Sequence, residues 1–197
     1  MKNVFKTNVR EISEIAIMSA LAIVMDRFVK IPSGITGGSI NICAIPLFVV
    51  SYRHGWFKGF LASGIVFGLI TCLFDGYGMQ TYPFEYLIAF GSIGIAGLFG
   101  KTIFRLASSN EIKNKIYSGL LVVLTVLIFF VIRTLFASFD SMIFWELTFA
   151  GALAYNLPYV GLSAGGVAIF LLILLPIFTE INKMYKTNYL EEDNDEE

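Results

Sequence analysis

Residues 120–132, LLVVLTVLIFFVI, hold no charge and a single hydroxyl, so a helix built from them has no polar face. A soluble amphipathic helix returns a polar residue every third or fourth position, whereas this stretch is apolar all round, as contact with lipid requires. GGVAIFLLILLPIF at 165–178 repeats the pattern. Outward from these two segments the chain agrees: 197 residues, 56% hydrophobic and 15% charged, with a mean hydropathy of +0.74. A soluble domain of this length cannot bury so much apolar surface, so the chain reads as an all-α, polytopic membrane protein with one membrane domain over 1–186. The stretch EEDNDEE at 191–197 concentrates acids with almost nothing to bury, and 187–197 reads as a solvated, disordered acidic tail.

Crossing roughly 30 Å of hydrocarbon takes about 20 residues. On that measure six transmembrane helices are expected, near 11–29, 39–52, 56–74, 83–104, 116–137 and 158–182. The second is short and contains Pro46, which suggests a tilt or a break. Pro158 is expected to open the last helix, because proline is tolerated in a first turn and disruptive inside one. The basic MKNVFKTNVR is followed by an apolar run with no clear cleavage site, so it reads as a retained first helix and not a signal peptide. With both ends inside, the inner segments carry Lys2, Lys6, Arg10, Arg53, Lys58, Lys101, Arg105, Lys113, Lys115, Lys183 and Lys186, against Arg27 and Lys30 outside. This bias places both termini in the cytoplasm. The outer segments are then VKIPSGITGG, DGYGMQTYP and ASFDSMIFWELTFAGALAYNL, while YRHGWFK and SSNEIKNK read as solvated inner turns. GFLASG and GSIGIAG carry small residues at spacings that favour close helix packing.

Against this apolar background the polar residues stand out. Glu85 opens the fourth helix near the outer face. Two readings compete: compensation of the helix dipole by an acid in a first turn, or an ionisable group facing a cavity or a partner, since burial in lipid is costly. Tyr77, Tyr82, Tyr86, Trp145, Tyr155 and Tyr159 fall at the same level. An interfacial aromatic belt accounts for those rings. It does not account for Glu85, Asp140, Glu146 and Asn156 among them, and an aromatic box with an acid suits a flat cationic or hydrogen-bonding small molecule. Arg133, inside the fifth span, has three open roles: pairing with Glu85, snorkelling outward, or receiving an anionic ligand group. His54 is the sole histidine, and Cys43 and Cys72 lie inside apolar segments, so no metal site and no cofactor is expected. There is no phosphate-cradling GxxxxGK[ST], no partnered nucleophile and no basic stripe for nucleic acid. Ala16 and Ala20 lie one turn apart and permit close approach of another helix, from this chain or from a separate subunit.

The runs ICAIPLFVVSYRHGWFKGFLASGIVFGLI (42–70), FEYLIAFGSIGIAGLFG (84–100), IFW (143–145) and ALAYNLPYVG (152–161) resemble the thiamine-specific substrate-binding (S) components of energy-coupling factor (ECF) transporters. The resemblance implies a six-helix vitamin-capturing subunit working with a transmembrane coupling subunit and two cytoplasmic ATPases. It places the family's ligand-contacting glutamate and tyrosine on Glu85 and Tyr86, its tryptophan on Trp145, its last-helix tyrosine on Tyr155, and its coupling alanines on Ala16 and Ala20. Two positions depart: the family histidine falls on Ala137 and the family asparagine on Val160, with Asn156 a candidate to compensate. The first outer loop also lacks a tryptophan common in the family.

The expected function is therefore binding of thiamine at a bacterial plasma membrane, through Glu85, Tyr86, Trp145, Tyr155, Asn156, Tyr159, Tyr82 and Tyr77, with the glycine-rich first loop closing over the ligand. The departures leave room for a related ligand, a hydroxymethylpyrimidine or a pyridoxine-like vitamin. From other classes, a small intramembrane enzyme with Glu85 or Asp140 as base and a structural subunit with internally paired acids stand as rivals.

Overall fold

A computed structural model describes residues 7–32 and 38–191. Helix α1 (Val9–Phe28) is capped by Asn8, whose side chain accepts from the Glu11 backbone N–H at 2.8 Å. A short antiparallel hairpin follows, β1 (Lys30–Pro32) against β2 (Ser39–Asn41), with Lys30 opposite Asn41. The middle of the first glycine-rich loop, 33–37, lies outside the described residues, as do Lys2, Lys6 and the tail from 192. Then come α2 (Ala44–His54), α3 (Trp56–Asp75), α4 (Met79–Leu98), α5 (Gly100–Ala107), α6 (Ile112–Trp145), α7 (Phe149–Met184) and the single turn α8 (Asn188–Glu191).

The all-α expectation holds, and several boundaries move. Helices α3, α6 and α7 are long and apolar enough to cross a membrane, and α4 with α5, bent by 49° at their junction, are together long and apolar enough for a fourth, broken span or a re-entrant loop. The second expected span does not start at 39: those residues pair as β2, and α2 has 11 residues, all of them buried. At 1.5 Å per residue that is about 16 Å, too short to span. Helix α2 is instead the core around which the other helices pack. Its Pro46 sits in the first turn, where no backbone donor is needed, and does not break it.

Pro158 does not open the last helix. Thr148 does, its hydroxyl accepting from Gly151 N at 3.2 Å, so Pro158 and Pro176 both lie inside a 36-residue helix. Helix α6 likewise runs to Trp145. The long outer segment expected between them shrinks to Glu146–Thr148, with Glu146 in the left-handed region at φ 55°.

Helix α4 is irregular. It winds in wide π turns over Tyr82–Phe90 and tightens to 3-10 turns over Gly91–Leu98. In a 3-10 helix side chains three apart eclipse. Gly91, Gly94 and Gly97 therefore form one bare edge, and it lies on the start of α3: a Cβ on Gly94 would sit 2.8 Å from the Trp56 carbonyl oxygen.

The turn expected to be solvated at the end of α2 is buried. Arg53 and Lys58 are 4% exposed and His54 is fully enclosed. Arg53 holds Glu14 at 2.5 and 3.1 Å and also bonds the Asn182 side chain, while Lys58 Nζ reaches Glu11 at 2.9 Å. Thr187 donates to the Arg53 carbonyl and Tyr189 to the Gly97 carbonyl at 2.6 Å, so both residues of the expected tail pack against the bundle.

Candidate functional site

At the opposite end of the bundle a cavity of about 730 Å³ opens between α4, α6, α7, the hairpin and the ends of α1 and α3. That volume lies in the range of small-molecule sites. Its floor is the aromatic core: Phe90 lies 4.8 Å from Phe67, 6.0 Å from Phe129 and 6.1 Å from Tyr86, ring centre to ring centre.

The π turns decide which α4 side chains face inward. With more than four residues per turn, positions four and five apart share a face, and Thr81, Glu85, Tyr86 and Phe90 all line the cavity. Tyr82 is rotated away: its hydroxyl donates to the Gly64 carbonyl at 3.1 Å and its ring packs on the core, so it is not among the lining residues. Glu85 is the acid in the first turn of the π-wound segment Tyr82–Phe90, which follows the 3-10 turn Met79–Thr81. Its carboxylate is 3.9 Å from Arg133, whose guanidinium lies 4.4 Å over the Phe90 ring. Arg133 thus pairs with Glu85 while a void remains beside both.

On α6, Arg133, Ala137, Asp140 and Ser141 recur at helical spacing along one cavity-facing stripe. Trp145 ends that stripe at the mouth, 54% exposed, with Tyr77 edge-on at 5.7 Å. Helix α7 contributes Tyr155 and Tyr159, which meet edge to face at 5.7 Å. Asn156 also lines the cavity, but its side chain is committed to the protein. Its amide donates to the Ala152 carbonyl at 2.9 Å and to Ser141 Oγ at 3.2 Å, and its oxygen accepts from Tyr159 Oη at 2.5 Å. Val160 is buried and does not reach the cavity.

Among the polar lining residues that the sequence did not single out are Asp26, Asn41 and Asp75. Asn41 donates to Asp26 at 3.2 Å, Arg27 bridges to Asp75 at 3.0 Å, and Tyr86 Oη donates to the same Asp75 carboxylate. The signal for Asp26 was an acid buried in the last two turns of an apolar helix; Asn41 had none.

Ala16 and Ala20 are far from this chamber. They are exposed on α1, on a surface that also presents Ile12, Ile17, Leu21 and Val24.

Two solved structures share the fold. ThiT from Listeria monocytogenes superposes with a TM-score of 0.67 at 23% identity, covering 89% of this chain and 96% of that one. The S component of a bacterial ECF transporter superposes with a TM-score of 0.58 at 16% identity, covering 88% of this chain and 98% of that one. In sequence, 111 residues are 36% identical to the thiamine transporter ThiT of Bacillus subtilis (strain 168), spanning 52% of this chain and 55% of that relative. Residues 12–186 match the thiamine transporter protein family, from the first turn of α1 to the end of α7 and just beyond, and the chain belongs to that family.

Proposed function

We propose that this chain is the substrate-binding membrane subunit of an ECF-type vitamin importer and that its ligand is thiamine. The observation that carries the proposal is the chamber itself: a carboxylate, Glu85, facing a void walled by Tyr86, Tyr155, Tyr159 and Trp145. Membership of a transporter family, not an enzyme family, sets aside the intramembrane enzyme considered from the sequence. In this reading Glu85 accepts hydrogen bonds from the ligand's exocyclic amine, and the tyrosines and Trp145 stack on its rings. Tyr77 and Trp145 form the rim. Asn156 holds Tyr159 in place, and Tyr82 acts only as packing.

The termini are cytoplasmic and the cavity faces outward, consistent with the lysine and arginine bias. Ala16 and Ala20, exposed on α1, meet the transmembrane coupling subunit, which works with two cytoplasmic ATPases. Small side chains there let a partner helix approach closely.

Ala137 on the cavity wall keeps a second ligand class in view, a hydroxymethylpyrimidine or pyridoxine-like compound, because a methyl group offers no polar contact where the resemblance placed a histidine. Trp145 fluorescence distinguishes them. In a Trp56→Phe background, titration with thiamine should give saturable quenching at lower concentration than its pyrimidine half or pyridoxine. Glu85→Gln should weaken thiamine about ten- to hundredfold, the loss expected for one charged hydrogen bond, while the protein stays folded, somewhat less stable for losing the pair with Arg133. A protein that responds to none of the three compounds refutes the proposal.

A further inference from the structure

Four carboxylates and three cationic side chains line the cavity, and they are not evenly paired. Arg27 takes Asp75 and Arg133 takes Glu85. Asp26 receives the Asn41 amide and lies within the field of Lys30. Asp140 is left over. It is 7% exposed, and its Oδ1 is fully buried with no hydrogen-bond partner among the described residues. No lysine or arginine pairs with it there either. A carboxylate with one oxygen held out of water and unpartnered is costly to keep ionised. Such a group inside a membrane protein faces a site whose occupant compensates it.

The stripe on α6 locates that occupant. Arg133 and Asp140 are seven residues apart, about 10 Å along the axis. Between them lies only the methyl of Ala137. Glu85, through its contact with Arg133, marks the lower level, and Asp140 marks the upper. Trp145 is a further five residues on, about 7 Å nearer the mouth. The gap matches the length of two linked heteroaromatic rings, with one carboxylate serving each.

We propose that Asp140 is a specificity-determining residue that seats a positively charged ring, so the site selects a heteroaromatic cation over a neutral molecule of the same shape. This rests on the thiamine reading above, in which Glu85 serves the aminopyrimidine and Asp140 faces the thiazolium. Ala137 contributes by being small: a bulkier side chain at that level would fill the slot between the two carboxylates.

The test uses the full-length protein in detergent and two probes: thiamine, and the isosteric analogue in which a neutral thiophene replaces the thiazolium. Calorimetric titration of the wild type should show thiamine bound at least about tenfold more tightly. Asp140→Asn should weaken thiamine by a similar factor and leave the analogue unchanged, which also certifies that the variant is folded. Thiamine binding unaltered in Asp140→Asn overturns the inference while the thiamine assignment stands. A parallel loss of both probes overturns it too, making Asp140 structural. A wild type that binds neither probe removes the thiamine assignment and this inference together.

Discussion

Asn156 donates to Ala152 and Ser141 and accepts from Tyr159, which leaves little of its amide for a ligand. Its work is to fix the Tyr159 ring against Tyr155. Asn156→Ala should therefore lower stability by about 1–3 kcal/mol, the cost of leaving buried partners unsatisfied, and indirectly weaken binding of the proposed ligand, thiamine. Thermal unfolding with and without ligand reads both effects; an unchanged melting temperature with lost binding would make Asn156 a direct contact. At this scale the sequence exposed Glu85, Tyr86, Trp145, Tyr155 and Tyr159, because acids and rings stand out in an apolar chain. It hid Asp75, which sits in a segment that read as loop, and Asn41, which fell inside the second expected span and lies instead in β2. Tyr82 was misplaced for a geometric reason: at 3.6 residues per turn it shares a face with Glu85 and Tyr86, but π turns rotate it off that face.

Among the elements, α4 and α7 depart most from a hydropathy reading. Hydropathy locates apolar length, not the cap, so Pro158 looked like a start while Thr148 did the capping well upstream of it. In the same way Trp145 and Tyr155 were assigned to a loop that is largely helix. The glycine edge of α4 was legible as small-residue spacing, though its three-residue period belongs to a 3-10 helix and not to the four-residue repeat of an α-helical crossing. Gly97→Ala should be severely destabilising, by about 3 kcal/mol or more, because its Cβ would enter the Trp56 backbone. Gly165, on α7, has open space where a methyl group would project, with nothing within 4 Å of it. Gly165→Ala should leave stability unchanged or raise it by up to about 1 kcal/mol. Paired melting curves of the two variants check both statements, and equal effects would contradict the close approach of α4 to α3.

Across the molecule, charge is buried at both ends. One set is the cavity; the other is the group of Glu11, Glu14, Arg53 and Lys58 beneath α8. The sequence suggested a solvated basic turn there, since local composition cannot reveal that α1, distant along the chain, supplies two acids to cover it. Lys58→Met should be destabilising, by up to about 3–5 kcal/mol, because it removes a counter-charge held 2.9 Å from the buried Glu11. The double variant Lys58→Met with Glu11→Leu should recover much of that loss, and denaturation of single and double variants measures the coupling. Helix α1 belongs to both sets: Glu11 and Glu14 anchor one end, Asp26 and Arg27 the other. A beam bolted at each end cannot slide along its length. It can only tilt about one fastening as the other lets go, so the helix on which Ala16 and Ala20 are exposed keeps its posture until the contacts at one extremity are exchanged.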